Sequence, residues 1–165
     1  MEELSTKLMI EFTRLFRGIK KGYGPPPPYE SIYRGERRVI GQVTLDVMQM
    51  YQDANFVFSD DYYTGPLDYL GVELQFMAFL CQSEMDAWKN NKDDEAKKYL
   101  ELEKKFLKLH LLQIIPNFSR NVVQQAIEKF YIGVVKLTER FTTMDADNID
   151  FLLKNLSENI STSYI

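Results

Sequence analysis

The sequence predicts an all-α protein, and three observations lead to that fold class. Apolar residues recur at spacings of three and four along most of the 165-residue chain, which is the period of a helix. No segment alternates apolar and polar residues as a half-buried strand does, and no hairpin turn pair is present. Proline, glycine and Asn/Asp clusters divide the chain into pieces of helix length. A chain of this size can bury a real core, so we expect a single-domain helical bundle over residues 1–165.

The first predicted helix and the loop after it are separated by glycine and proline. Helical spacing extends over residues 4–16, and Gly18 ends the helix. Four consecutive prolines at 25–28 cannot lie in a helix interior and favour an extended conformation, which continues over residues 29–33. A stiff connection between two helices would explain this loop. The alternative is a binding loop, because tyrosine rings and hydroxyl groups held next to proline offer contact surface at low entropy cost.

The second and third predicted helices cover residues 35–51 and 66–90. The second begins at Gly35 or Glu36. The third begins at Pro66, where the missing N–H costs nothing, and it is apolar on several sides, so we expect it to be central. Cys81 lies on its apolar stripe and is interpreted as a buried small hydrophobic residue. The apolar face of the second helix consists of Val39, Val43, Val47, Met50 and Tyr51.

The remaining helices are predicted from a polar break, a proline and a cap signal. A helix over 94–113 ends before Pro116, because the residue preceding proline avoids the helical region. A helix over 117–141 follows in good register, and Asp145 then caps a short last helix. His110, the only histidine, is interpreted as a helix-surface or boundary residue.

Composition argues against several classes of function. One cysteine and one histidine cannot form a zinc site unaided, and no phosphate-binding or dinucleotide motif is present. The Asp60–Asp61 pair is interpreted as a solvated turn, not as a site for a hard cation. No apolar run reaches the length of a membrane span, and the N-terminus lacks a secretory pattern. We therefore expect a cytoplasmic protein that is not an enzyme and holds no cofactor or metal.

Charge is unevenly distributed along the chain, whose net charge is −4. Residues 1–40 carry eight Lys/Arg and five Asp/Glu, so the remainder is acidic. An acidic body repels nucleic-acid phosphates and attracts basic peptides. A basic peptide is therefore a more plausible partner than nucleic acid.

Asp68 has two interpretations. If Pro66 is the first helical residue, Asp68 is the third, where a carboxylate bonds to the free amides and meets the positive end of the helix. This capping role explains the residue by itself. In the alternative, part of the carboxylate faces a groove and receives a basic or polar group of a ligand.

Four segments, 28–33, 65–77, 115–118 and 130–131, together resemble the TorD/DmsD-like redox-enzyme maturation chaperones, to which the NarJ proteins are more distant relatives. Their order and approximate spacing agree with that family over about residues 10–141. In the family motif Glu-Pro-x-Asp-His, Gly65 replaces the glutamate and Tyr69 replaces the histidine. These departures argue against carrying over the guanine-nucleotide binding of some family members to this chain. The chain matches that motif, and the Glu-Leu-x-Phe-Met sequence after it, at Pro66, Asp68, Glu73, Leu74, Phe76 and Met77.

The resemblance implies a cytoplasmic chaperone of the TorD/DmsD-like helical type. Such a protein binds the twin-arginine leader or the apo-form of a molybdopterin (Mo or W) oxidoreductase, assists folding and cofactor insertion, and prevents premature export. The chain is short for the family at its N-terminus, which leaves a homodimer open, domain-swapped as in some members. A helical protein–protein interaction subunit without leader recognition is the alternative. The expected peptide-binding residues are Pro28, Tyr29, Ser31, Tyr33, Pro66, Asp68, Tyr69, Leu70, Glu73 and Phe76.

Overall fold

A computed structural model describes residues 2–18, 22–37, 40–59 and 63–162. Within these ranges every named element is helical, and an isolated antiparallel bridge joins Tyr29 to Tyr69. The predicted all-α fold class is therefore confirmed. Val39, Asp60 and Asp61, for which the sequence made predictions, lie outside the described residues.

The helices form a bundle around one central rod. The rod consists of α5, a π-helical turn and α6 in unbroken succession. A short turn joins α4 to α5, against which it packs, and a second short turn joins α6 to α7. Both turns reverse the chain, so α4 and α7 run in the same direction, opposite to the rod. The elements are α1 (Glu2–Phe16), α2 (Glu30–Tyr33), α3 (Gln42–Asp53), α4 (Leu70–Lys89), α5 (Asp93–Phe106), the π-turn (Leu107–Leu111), α6 (Leu112–Gln125) and α7 (Lys129–Thr162).

An aromatic cluster holds α3, α4 and α5 together. The ring of Phe76 lies 4.7 Å from that of Tyr51 and 4.8 Å from that of Phe106, measured between centroids. Phe76 and Phe106 are completely buried. Such ring pairs contribute about 0.5–1.5 kcal/mol each beyond the apolar area they bury. The prediction that the third helix is central is therefore supported by its packing.

The start of α4 differs from the prediction. The helix begins at Leu70, not at Pro66, because Leu67 and Asp68 form a turn and Tyr69 is extended and pairs with Tyr29 of the proline loop. The N–H of Leu70 donates to the carbonyl of Pro28 at 2.8 Å, and the N–H of Glu30 donates to the carbonyl of Asp68 at 2.9 Å. Asp68 is therefore not a first-turn residue of α4. The predicted extended loop is also wrong over Glu30–Tyr33, which forms the single helical turn α2.

The second predicted helix begins later than expected, at Gln42. Gly35 has a positive φ of 79°, which interrupts a right-handed helix. Glu36 then reaches forward, and its Oε1 accepts the N–H of Val43 at 3.1 Å, which satisfies an amide in the first turn of α3. Glu36 thus stabilises this helix end from outside the helix.

Pro116 lies inside α6, which contradicts the prediction that a helix ends before it. The π-turn immediately precedes α6, and the N–H of Leu112 bonds to the carbonyl of Leu107, five residues back. This wider turn alters the backbone path shortly before the proline, whose ring would otherwise press on the preceding turn. The rod consequently continues where the local rule predicts a stop.

The last helices are divided differently from the prediction. The predicted helix over 117–141 is interrupted at Ala126, which is extended, and α7 then continues through the predicted break at Asp145. Glu11 of α1 stabilises the start of the new helix. Its carboxylate accepts the N–H groups of Ile127 and Glu128, the latter at 2.7 Å, just before α7 begins. A residue more than a hundred positions away therefore caps this helix.

Candidate functional site

An apolar groove runs between α4 and α7 over a floor formed by α6 and the π-turn. It consists of two adjoining cavities of about 250 Å³ and about 470 Å³, which share Leu74 and Thr138 as lining residues. Leu70 and Val134 line the first cavity, and α1 closes it with Phe12 and Phe16. The second is lined by Met77, Ala78, Cys81, Leu107, Leu111, Leu137, Phe141, Thr142 and Asp145, with the two shared residues.

The groove is long enough for a peptide segment. Leu70 lines one cavity and Cys81 the other, and at 1.5 Å per helical residue their separation along α4 is about 17 Å. That length fits roughly eleven residues of helix or five of extended chain. Its shape and apolar lining suit an apolar segment of another polypeptide better than a small polar substrate.

One rim of the groove exposes large apolar side chains. On α7, Val134 is 41%, Leu137 is 69% and Phe141 is 64% exposed. These residues follow spacings of three and four, so they lie on one face of the helix. Such a continuous exposed apolar surface is typical of an interaction site, and covering the exposed part of each side chain contributes a fraction of the roughly 1.5–3 kcal/mol that full burial gives, before ordering costs.

Several residues predicted for peptide binding meet at one end of this groove. Pro28, Tyr69 and Leu70 line the first cavity. The ring of Tyr29 lies 5.4 Å from that of Tyr69, beside the backbone bridge between the two residues. Tyr33 is half-buried, and its hydroxyl donates to a carbonyl of the proline loop at 3.0 Å. The structure thus brings the loop and the start of α4 together, as the resemblance implied.

Other predicted site residues lie behind the groove. Asp68, Glu73 and Phe76 are completely buried. Ser31 is buried as well, and its N–H donates to Asp68 Oδ2 at 2.9 Å. Pro66 is half-buried in the segment before α4, where its carbonyl accepts the hydroxyl of Tyr63. A ligand lying in the groove would not reach these side chains directly.

A buried polar cluster fixes α2 against the π-turn. His110 Nδ1 lies 2.9 Å from Glu30 Oε2, and Arg34 donates to the other carboxylate oxygen of Glu30 at 2.8 Å. His110 is only 3% exposed, so the interpretation of it as a surface or boundary residue is wrong. Periodicity could not reveal this partner, because Glu30 lies in a segment that was predicted to be an extended loop.

Glu73 completes this cluster and is the member with the fewest hydrogen bonds. Burial raises the pKa of its carboxyl well above the usual range, and the nearby carboxylates of Glu30 and Asp68 raise it further. Neither carboxyl oxygen has a hydrogen-bond donor. A protonated Glu73 can donate to Glu30 and avoids a third buried negative charge. Glu30 and Glu73 are completely buried, while Arg34 reaches solvent at the edge of the cluster, so the cluster holds α2 against the π-turn.

A second acidic cluster lies at the other end of the groove, and the sequence analysis did not identify it as a site. Glu84 of α4 and Asp145 of α7 lie near enough to Glu103 of α5 to affect its pKa, and of the three only Asp145 lines the groove. Glu103 is 2% exposed, and its pKa is raised to about 8 by burial and then by the charges of Glu84 and Asp145. The one available signal was that Glu84 falls on the apolar stripe of α4, where a charged residue is unexpected.

Cys81 lies beside this second cluster. It is exposed, which contradicts its interpretation as a buried residue. Its pKa is raised to about 12, by desolvation first and then by the neighbouring carboxylates, of which Glu103 has the largest effect. A thiol with this pKa stays protonated at neutral pH and is a poor nucleophile. The arrangement therefore does not suit cysteine catalysis.

The part of the chain that the structure describes contains neither a membrane-spanning helix nor a cluster of metal ligands. None of the helices in those ranges combines the length and apolar character needed to cross a bilayer. Likewise, the described Cys, His, Asp and Glu side chains form no group of three or more that could hold a metal ion.

The family model described as the nitrate reductase delta subunit matches residues 1–120. No curated protein and no solved structure matches the chain. The matched range contains the proline loop, α4, and most of the groove floor. It ends before α7, so the exposed apolar rim and Asp145 lie outside it.

Proposed function

Because the chain belongs to the nitrate reductase delta subunit family, a family of redox-enzyme maturation chaperones that includes NarJ, we propose that it is the chaperone of a molybdopterin oxidoreductase subunit. The resemblance found in the sequence is thereby confirmed at the level of the family. The family consists of molybdoenzyme maturation chaperones, not of catalysts. The client, its leader and the cytoplasmic site of action belong to the proposal.

The observation that carries the proposal is the apolar groove between α4 and α7. A chaperone of this class must hold an unstructured or partly folded segment of its client reversibly. An apolar groove with an exposed rim does this through burial of apolar surface, worth about 25 cal/mol per Å² before ordering costs are subtracted. Client release then requires no covalent step.

Within this proposal, the client segment is the twin-arginine leader, and its apolar region lies in the groove. Pro28, Tyr69 and Leu70 contact it at one end, and Tyr29 supports Tyr69 from behind. Leu137 and Phe141 cover it from the rim. We assign no direct ligand contact to Asp68, whose buried carboxylate is already bonded to Ser31.

Calorimetric titration of the full chain with a twin-arginine leader tests the proposal. The leader comes from the molybdoenzyme encoded nearest to this chain, and a scrambled peptide is the specificity control. We expect a Kd in the micromolar range or tighter, about −8 kcal/mol. Leu137→Asp on the rim should weaken binding at least about tenfold, since it places a charge against apolar surface.

Leu45→Asp provides a matched control variant. Leu45 is exposed to a comparable degree, 51%, but lies on α3 and lines neither cavity. This variant should bind the leader like the wild type. An equal loss of leader affinity in the two variants would reject the proposal. So would a wild-type chain that binds neither the leader nor the apo-subunit. Binding of the apo-subunit alone would favour the alternative, an interaction protein without leader recognition.

A further inference from the structure

Exposed apolar side chains recur along α7, from residue 130 to residue 151, at alternating spacings of four and three. Each of them is between 41% and 69% exposed. This spacing is the heptad pattern of a coiled coil, in which apolar residues occupy the positions called a and d. The set, which we call the outer stripe, consists of Phe130, Val134, Leu137, Phe141, Met144 and Phe151, with the exposed Asn148 at its one polar position.

The outer stripe is separate from the side of α7 that packs on the protein. That side carries its own apolar residues, of which Val135, Ala146 and Ile149 are buried. A helix that packs on one side of a bundle needs only one such stripe. The packing of the described residues therefore does not account for the outer stripe, and neither does the family match, which covers residues 1–120.

The outer stripe is large enough to form a stable interface. It covers three heptads, about 33 Å of helix at 1.5 Å per residue, and a pattern sustained over this length is typical of coiled coils. Its three phenylalanines alone expose roughly 300–450 Å² per chain. A standard interface buries about 800 Å² on each partner, so these three side chains supply a substantial part of that area.

Asn148 indicates which partner covers the stripe. It occupies an a position, which is buried once a coiled coil forms, and a buried amide needs hydrogen-bond partners. In a parallel pair of identical helices each a residue faces its own copy, so Asn148 meets Asn148 of the second copy and the two amides bond to each other. A partner helix that is apolar at this position would leave the amide unpaired. The asparagine therefore favours a second copy of this chain.

The charges beside the stripe agree with a parallel pair. Arg140 occupies a g position and Asp145 an e position, and in a parallel coiled coil a g residue lies near the e residue five positions later on the other helix. Arg140 of one copy would thus meet Asp145 of the other, and the two-fold axis repeats the contact. Within the described part of the chain neither residue belongs to an ion pair, so both charges are available.

We propose that the outer stripe is the interface of a homodimer, in which the α7 helices of two copies form a parallel two-stranded coiled coil. No element is exchanged between the copies, which distinguishes this dimer from a domain-swapped one. Leu137 and Phe141 also belong to the rim of the groove, so a client segment that contacts them competes with the second copy. The dimer itself is inferred from α7 alone and does not rest on the proposed function.

Sedimentation equilibrium of the full chain, without any leader peptide, tests the interface. We expect the wild type to form a species of twice the 19.4 kDa chain mass, with a dimer Kd in the micromolar range. Phe151→Asp should raise this Kd at least about tenfold, since it places two charges against apolar surface. Phe151 lines neither cavity of the groove, so leader binding to the proposed site should survive in this variant.

Leu45→Asp, on the exposed face of α3, is the matched control and should keep the wild-type dimer Kd. A wild type that stays monomeric at hundreds of micromolar would overturn the inference. A dimer that Phe151→Asp leaves intact, or that both variants weaken equally, would do the same. None of these results depends on leader binding, so they leave the proposed function standing.

Asn148→Leu tests the role of the asparagine in the opposite direction. A polar residue at an a position lowers the stability of a coiled coil, so this variant should lower the dimer Kd at least about tenfold. Thr143→Leu adds an apolar side chain at an exposed position of α7 outside the stripe and should leave the Kd unchanged. An unchanged Kd in Asn148→Leu, or an equal decrease in the control, would contradict the proposed interface.

Disulfide trapping tests the direction of the two helices. In a Cys81→Ser background, which removes the one native thiol, Phe151→Cys should form a linked dimer on mild oxidation, because d residues face their own copies in a parallel pair. Lys136→Cys, at an exposed position outside the stripe, should stay unlinked. A disulfide that forms only when Phe151→Cys is mixed with Val134→Cys would indicate antiparallel helices and overturn the parallel arrangement.

Discussion

The carboxylate of Asp68 accepts the backbone N–H of Ser31, 37 positions earlier in the sequence, at 2.9 Å. Next to this bond, the backbones of Tyr29 and Tyr69 form their antiparallel bridge. The two features fasten α2 and its preceding loop to the start of α4. Because Tyr69 lines the groove, the buried carboxylate sets the geometry of one groove end without touching a ligand.

Asp68→Ala is therefore expected to act on stability. The substitution leaves the buried N–H of Ser31 unpaired, and the free energy of unfolding should fall by about 1–3 kcal/mol in urea titrations. Asp46→Ala, at an exposed position of α3, should stay within about 0.5 kcal/mol of the wild type. Unchanged stability combined with weakened leader binding would instead make Asp68 a ligand contact.

Glu11→Ala should loosen the start of α7. The carboxylate accepts the N–H groups of Ile127 and Glu128, so its removal costs about 1–2 kcal/mol, as the loss of a helix cap does. Amide hydrogen exchange at these two residues should accelerate more than exchange in α5. Glu3→Ala on the exposed side of α1 is the control and should change neither quantity. Unchanged exchange at 127 and 128 in Glu11→Ala would contradict the capping role.

The sequence predicted helix interiors better than helix ends, and the physical reason is the range of the interactions. Periodicity shows which side of a helix is apolar, so α1, the middle of α4 and most of α5 agree with the prediction. The start of α3 depends on Glu36, the start of α7 depends on Glu11, and the continuation of α6 through Pro116 depends on the π-turn. These are long-range contacts or backbone geometries that the local spacing of apolar residues does not encode. The same limit explains why Asp68 was assigned to the helix that follows it and not to Ser31.

The candidate site was predictable at one end only. Pro28, Tyr69 and Leu70 were found because they belong to segments that resemble a family motif. The other end is lined by Cys81 of α4, Leu107 of the π-turn and Phe141 of α7, among others. Their proximity follows from the packing of these elements, and no motif in a single sequence reports it.

Glu103 should make stability fall as pH rises. Its pKa is raised from 4.5 to about 8 in the folded protein, so between these values the folded state holds a proton that the unfolded state has lost. Stability is therefore highest below pH 4.5 with respect to this group, and it declines until the pH passes about 8. Glu103→Gln should flatten this part of the profile.

Urea midpoints measured from pH 5 to pH 9 check this slope. Glu101→Gln, at an exposed position of the same helix, should retain the wild-type slope. Glu73 and Asp145 also have raised pKa values and remain in both variants, so the difference between the two variants isolates Glu103. A profile of Glu103→Gln parallel to that of the wild type would contradict the assignment.

Cys81 offers a chemical readout of the occupied groove. The thiol is exposed but its pKa is raised to about 12, so reaction with an aromatic disulfide reagent at pH 8 should be at least about tenfold slower than in the unfolded chain. A bound leader should slow it further, because Cys81 lines the second cavity of the groove and a peptide lying there covers the thiol. Measuring the rate as a function of pH with and without the leader separates protection from a change in pKa. Protection lowers the rate at every pH, whereas a changed pKa moves the whole profile along the pH axis. A rate and profile identical with and without a saturating leader would place the bound peptide away from Cys81.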